Sequence, residues 1–235
     1  MSNLAYKRVL IKLSGEALAG DKGNGINNDV VSGIVSQIKE ISKLGVEVGI
    51  TVGGGNFWRG RQGAEMDRVT ADYMGMMATV INALALRDAF ERQGVPAVVM
   101  TTINVSKIAE PFETKRALKL LSSGTVLIFA CGTGNPFFTT DTGAALKAIE
   151  LETDVLLLAK NVDGIYDSDP KVNKNAKKYT DISYMDIIKQ DLKAMDITAV
   201  SMCKENKMKV LAFGLYEENA LLRVVKGEKI GTLIK

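Results

Sequence analysis

Ala130-Cys131-Gly132-Thr133-Gly134-Asn135-Pro136-Phe137-Phe138-Thr139-Thr140-Asp141-Thr142-Gly143 is the stretch whose reading decides the fold. The apolar run 125–130 leads into it, and the small-residue helical pattern 144–149 leaves it. A strand therefore ends, a Gly- and Thr-rich loop follows, and a helix begins. At such a junction an α/β protein presents unpaired backbone N–H groups to an anion. The glycines let the main chain approach a ligand closely, and the threonine hydroxyls add short donors. Asp141 stands where it either caps the helix or faces a metal or an ammonium group.

Working outward, the same junction recurs. Residues 8–13 form an apolar run interrupted by Lys12 and followed by Ser14-Gly15. Lys12 is either a half-exposed strand residue or a cation at the C-terminal end of a central strand, where α/β sheets bind ligands. Ser14 and Gly15 favour the second reading. Residues 46–52 form another strand, which runs into Gly53-Gly54-Gly55-Asn56-Phe57-Trp58-Arg59-Gly60. Three consecutive glycines are costly in conformational entropy and are tolerated where the main chain touches something. Arg59 has the fork that suits phosphate oxygens. Neither the Walker pattern nor G-x-G-x-x-G is present. Residues 154–160 form a fourth such strand, with Lys160 at its end and the turn-rich Asn161-Val162-Asp163-Gly164-Ile165-Tyr166-Asp167-Ser168-Asp169-Pro170 after it. Tyr166 suits packing on an adenine ring and Asp169 a ribose contact; plain turn chemistry is the other reading of this loop.

Between these junctions lie helices. Asn28 or Asp29 caps a helix with Val30, Val31, Ile34, Ile38, Ile41 and Leu44 on one face, and Gly45 ends it. Residues 72–93 read as a long helix with Met76, Met77, Val80, Ile81, Leu84 and Phe90 as its apolar face. Asp72, near its start, is either an N-terminal charge or an acceptor for sugar hydroxyls. Strands are expected at 96–100, 209–213 and 230–234, and helices at 113–121, 196–206 and 217–226. Ser183-Tyr184-Met185-Asp186 reads as a capping box with Asp in place of Glu. The loop 20–25 is glycine-rich and polar. Strand–helix alternation over 235 residues predicts an α/β domain with a mainly parallel sheet covered on both faces.

Composition removes whole classes of chemistry. With no histidine, Ser–His catalysis and His-type zinc sites are excluded. Two cysteines without metal or framework spacing, Cys131 and Cys203, fit a reduced, cytoplasmic setting. Lys and Arg number 30 against 27 acids, a net charge of +3 spread along the chain, which argues against nucleic acid as the main partner. No apolar signal region opens the sequence, and no segment is expected to reach the roughly 18 apolar residues that span a bilayer.

Taken together, Lys12-Leu13-Ser14-Gly15, Gly53-Gly54-Gly55-Asn56 with Arg59, Gly132 to Asp141, and Val162-Asp163-Gly164-Ile165-Tyr166 with Asp169-Pro170 resemble the bacterial UMP kinases (uridylate kinases) of the amino acid kinase family. The resemblance covers nearly the whole chain. It implies a three-layer α/β/α fold, a single domain 1–235 with an acceptor lobe at about 1–150 and an ATP lobe at about 151–235, and the reaction ATP + UMP → ADP + UDP with Mg²⁺, on the pyrimidine route to CTP. It implies ATP contacts at Lys12, Leu13, Ser14, Gly15, Gly55, Arg59, Tyr166 and Asp169, with Lys160 or Asn161 as a further one. It implies UMP contacts at Gly54, Asp72, Thr133, Gly134, Asn135, Pro136, Phe137, Phe138, Thr139 and Thr140. Lys12 and Arg59 would meet the charge in transit, with Asp141 orienting Lys12 or Mg²⁺. A homohexamer, GTP activation at Gly20, Asp21, Lys22, Gly23, Asn24 and Gly25, and UTP inhibition are also implied. Two other readings stand beside it: a relative acting on a carboxylate or carbamate, and a non-catalytic uridine-nucleotide sensor.

Overall fold

The computed structural model describes residues 4–59 and 65–235; Gly60, quoted above, lies outside them. Among the described residues, the strands are β1 (Arg8–Leu13), β2 (Glu47–Val52), β3 (Ala97–Thr101), β4 (Glu110–Pro111), β5 (Val126–Ala130), β6 (Val155–Lys160), β7 (Asp181–Ile182), β8 (Val210–Gly214) and β9 (Thr232–Ile234). The helices are α1 (Gly15–Ala19), α2 (Asn28–Lys43), α3 (Arg68–Arg92), α4 (Thr114–Ser122), α5 (Thr140–Glu150), α6 (Tyr184–Lys189), α7 (Ile197–Glu205) and α8 (Ala220–Val225). All strands join one sheet in the order β4-β3-β5-β2-β1-β6-β8-β9-β7. Every pairing is parallel except β8 with β9.

Alternation along β1 sets the layers. Val9, Ile11 and Leu13 join one fully packed core with Ile34 and Ile38 of α2, Leu86 and Phe90 of α3, and Leu221 of α8. Leu10 faces the other way, into a second core with Ala144 and Ala148 of α5 and Val200 and Cys203 of α7. The result is the expected three-layer α/β/α arrangement. Strands buried on both faces read as continuous apolar runs, which is why Lys12 and Lys160 stand out at their ends. The chain leaves β1 toward β2 and leaves β6 toward β8, so the order of winding reverses between these two parallel neighbours. Their C-terminal ends flank the crevice where open α/β sheets bind ligands.

Helix starts shift from the expected positions wherever a better cap lies upstream. Asn27 caps α2, its Oδ1 accepting from Asp29 N and Val30 N. Asp67 caps α3 by accepting from Thr70 N, so Asp72 sits inside the helix rather than at its start. Thr139 caps α5, and Asp141 lies in the first turn. Ser183 and Asp196 do cap α6 and α7. Helix α8 begins only at Ala220, after Asn219 at φ 54°.

Helix α3 differs from expectation on two counts. It is long and apolar enough, by length and composition, to cross a bilayer. Its Ala83, Leu86 and Phe90 nevertheless pack against the sheet. Met77 and Ile81, expected in the core, are exposed, and with Val69 and Tyr73 they make a stripe at four-residue spacing.

Candidate active site

Lys12 lies beside Thr51 of β2 and Leu158 of β6. Its Nζ lies 2.8 Å from Asp141 Oδ1, and both side chains are about one-fifth exposed. The first turn of α5 thus carries its carboxylate back to the end of β1. Ser14 caps α1, its Oγ accepting from Ala17 N. Lys12, Ser14, Asp141, Lys160 and Asn161 line one small cavity of about 250 Å³. Leu13 is placed differently from its neighbours: its side chain is wholly buried, and its carbonyl accepts from Gly53 N at 2.9 Å. It spaces the turn and presents no side chain to the cleft.

Lys160 Nζ donates to Ala194 O at 2.5 Å. Burial holds its pKa below the usual lysine value, the nearby Lys12 charge adds to this, and Asp141 opposes it. Asp196 joins the two sides of the crevice: it accepts from the Thr139 hydroxyl, from Thr142 Oγ1 at 2.9 Å and from Ala199 N at 2.9 Å. The sequence marked Asp196 only as a helix cap. Its two threonine partners lie more than 50 positions away, so no local pattern signals them.

On one side of the Lys12–Asp141 pair is a cavity of about 320 Å³ lined by Gly54, Gly55, Trp58, Asp72, Gly132, Thr133, Asn135, Phe138, Thr139 and Thr140, among others. Gly134, Pro136 and Phe137 lie outside its wall. They shape it instead: Asp72 Oδ2 accepts from Phe137 N at 2.7 Å and from Arg68 Nε at 2.8 Å. The Arg68 guanidinium lies over the Phe137 ring, 5.3 Å from its centroid. Trp58 Nε1 donates to Ala71 O at 2.9 Å. Arg59 pairs with Glu16 of α1, a partner the sequence reading did not consider. The amides of Gly15, Gly54 and Gly55 have no acceptor among the described residues.

On the other side is a cavity of about 440 Å³ lined by Lys160, Val162, Gly164, Tyr166, Asp169, Pro170 and Leu192, among others. The Tyr166 hydroxyl donates to Asp163 Oδ1 at 2.6 Å, and Lys178 Nζ donates to Asp163 Oδ2 at 2.8 Å. These two partners hold the Asp163 carboxyl below its usual pKa, Lys178 foremost, while Asp163 raises that of Tyr166. Asp169 Oδ1 accepts from Lys171 N at 2.9 Å, a local turn contact that leaves its second oxygen open. The loop 20–25 lines neither cavity but joins the Gly53 turn through Asn56.

Cys131 is among the residues lining the cavity of about 320 Å³, with no exposed surface and a thiol pushed up to about 11, chiefly by burial. Cys203 is likewise buried, and its thiol is pushed up to about 12. Thiolate is the reactive form, so neither cysteine should react at neutral pH. Mass spectrometry after an hour with iodoacetamide at pH 8 should find the native protein unlabelled and the urea-unfolded protein labelled twice. Native labelling of Cys131 would contradict the burial described.

The Lys12–Asp141 pair, on the switch point of a parallel sheet, lines the cavity of about 250 Å³. That cavity shares Lys160 with the one of about 440 Å³ and adjoins the one of about 320 Å³ where Asp141 follows Thr140. The protein is of the α/β class, with its clefts at that switch point. The amino acid kinase family model matches residues 7–213, and the chain belongs to that family. Solved structures agree. UMP kinase from Bacillus anthracis is 41% identical, with a TM-score of 0.95 over 98% of this chain and 96% of that one. UMP kinase from Ureaplasma parvum is 40% identical, with a TM-score of 0.91 over 97% and 98%. Uridylate kinase from Archaeoglobus fulgidus is 27% identical, with a TM-score of 0.73 over 97% and 99%.

Proposed function

We propose that the chain is a nucleoside monophosphate kinase that transfers the γ-phosphoryl group of ATP to UMP, giving ADP and UDP. The observation that carries this reading is the Lys12–Asp141 pair, which lines the cavity of about 250 Å³ that shares Lys160 with the Tyr166–Asp169 cavity and adjoins Thr140 of the Gly54–Asp72 cavity. The likeness to UMP kinases over nearly the full length supports it. UMP occupies the Gly54–Asp72–Thr139 side and ATP the Tyr166–Asp169 side. This divides the work between residues up to about 150 and those after.

Phosphoryl transfer requires alignment and stabilisation of the charge on the moving group. The UMP phosphate is already ionised at neutral pH and needs no general base, so a chain without histidine is no worse equipped. Lys12 offsets charge on the transferring oxygens, Arg59 adds to it, and the free amides of Gly15, Gly54 and Gly55 supply fixed donors. Asp141 holds Lys12 in place. Lys160, or Asn161 beside it, steadies the ATP phosphates. Magnesium would come with ATP and neutralise charge on its β- and γ-phosphates. Among the described residues no three acidic or sulfur side chains cluster for a metal, which suits a cation carried mainly by phosphate oxygens, with Asp141 or Asp196 nearby.

The remaining expectations extend this reading. The exposed Val69–Tyr73–Met77–Ile81 stripe of α3 is a surface a homo-oligomer, by resemblance a hexamer, would cover. The loop 20–25 is the proposed GTP site, with UTP as the opposing effector, in a cytoplasmic enzyme of pyrimidine synthesis.

ADP formation measured with ATP and UMP, CMP, a carboxylate panel or no acceptor tests the activity. UMP-dependent ADP release is expected; release with a carboxylate in its place, or binding without release, would overturn the reading. Asp72→Asn removes the charge that draws Phe137 N and Arg68 inward. It should weaken UMP binding about tenfold, with ATP binding unchanged. Isothermal calorimetry reads both, and unaltered UMP affinity would take Asp72 out of the site.

A further inference from the structure

Behind the Gly53–Gly55 turn lies a pair of carboxamides that touches neither cavity. Asn56 is 4% exposed and Asn82, inside α3, is fully buried. Asn56 Nδ2 donates to Asn82 Oδ1 at 2.9 Å, and Asn82 Nδ2 donates back to Asn56 Oδ1 at 2.7 Å. The second proton of each amide goes elsewhere. Asn82 Nδ2 donates to Gly53 O at 2.7 Å, and Asn56 Nδ2 donates to Gly25 O at 2.7 Å. All four N–H groups of the pair are thereby used. The main chain adds a return bond, Gly25 N to Asn56 O at 3.0 Å. The turn after β1 presses on the same group: a methyl at Gly15 would lie 2.3 Å from Asn56 Oδ1 and 2.8 Å from Gly55 N.

This arrangement does more than fill space. Two apolar side chains of similar size fill a buried gap at no loss of stability. A fully satisfied polar pair fixes orientation instead, because each bond has one direction and the low dielectric penalises any misalignment. What it orients is the segment whose Gly54 and Gly55 amides have no acceptor among the described residues, together with the Gly15 amide beside them.

We propose that Asn56 and Asn82 are positioning residues. They set the donor amides of the Gly53–Gly55 turn against Gly15 and bind that turn and the loop 20–25 into one mechanical unit. The kinetic part of this proposal rests on the phosphoryl-transfer reading; the mechanical part does not. Neither side chain lines any of the three cavities, so their loss acts on alignment rather than on affinity.

Two variants test it: Asn82→Ala, and the double variant Asn56→Leu with Asn82→Leu, which removes all the carboxamide bonds while keeping the branched side-chain shape with added bulk. For each folded variant, kcat should fall about 30- to 100-fold while the calorimetric Kd values for ATP and UMP stay within about threefold. An unchanged kcat, or a loss of kcat matched by equal losses of both affinities, would overturn the positioning role. Should Asn82→Ala fail to fold, the leucine pair carries the same measurements.

Hydrogen–deuterium exchange on the nucleotide-free protein gives the second arm. Uptake at residues 53–58 and at 20–26 should rise together in the variants. Faster exchange at only one of the two segments, or spread evenly over the chain, would refute the linkage. If the parent protein makes no ADP in response to UMP, the functional reading fails and the exchange arm alone decides the mechanical claim.

Discussion

Lys12→Ala should leave UMP binding intact and lower turnover by about 10²- to 10³-fold, the range typical of removing one preorganised group that stabilises transition-state charge. Lys12 is the one charged residue in β1 beyond its first position, and its ammonium lies 2.8 Å from Asp141 in the cavity of about 250 Å³ that shares Lys160 with the Tyr166–Asp169 cavity. It is not part of the wall of the acceptor cavity, so ground-state UMP contacts survive its loss. The loss therefore falls on kcat and kcat/KM alike, the signature of an interaction made in the transition state. The variant also leaves Asp141 without its partner, so Lys12→Ala with Asp141→Asn should be no slower than Lys12→Ala alone. Steady-state kinetics with a coupled ADP assay settles it. Near-parental turnover in Lys12→Ala would remove the residue from the mechanism.

Gly54→Ala should damage both stability and rate. A methyl there would stand 2.7 Å from Gly75 O, 2.8 Å from Ala78 Cβ and 3.2 Å from Thr79 N. All three belong to the body of α3, and none is the flexible end of a side chain. Relief requires the helix and the turn to separate. Separation also disturbs the loop after β5, because Thr79 Oγ1 accepts from Cys131 N at 2.8 Å. The expected cost is about 1–3 kcal/mol in urea unfolding, the usual range for overpacking. The displaced amides should cost about 100-fold in kcat. Gly33→Ala is the control: nothing lies within 4 Å of its added methyl, and in mid-helix the exchange should stabilise by about 0.5–1 kcal/mol. If Gly54→Ala were as harmless as Gly33→Ala, the close contact of turn and helix would have slack, and the argument for three glycines would fall.

The sequence was most legible where an apolar run meets glycine. The ends of β1, β2 and β5 carry that signal, and β6 ends instead in Lys160 and a turn-rich loop. The signal is local, and burial on both faces makes it strong. The two-residue strands β4 and β7 are too short to show any period. Helix α3 misled because it is apolar on both faces, so periodicity could not tell the core side from the exposed stripe of Tyr73, Met77 and Ile81. The gathering of candidate residues at one edge followed from parallel strands, which alternation predicts. The residues that hold them did not. Asp196 serving Thr139 and Thr142, Glu16 meeting Arg59, and Asn82 clasping Asn56 are tertiary contacts between segments that each look ordinary alone. Sequence spacing displays chemistry at loop ends well and the scaffold behind it poorly.

Trp58 has a consequence of a different kind. It is the sole tryptophan of the chain, it lines the acceptor cavity, and its indole N–H is tied to the Ala71 carbonyl. Its emission therefore comes from one place, in one orientation, with no background from another indole. On the proposed function, UMP entering that cavity should change this emission. Filling of that side can be followed in real time, without a label and separately from events around Tyr166.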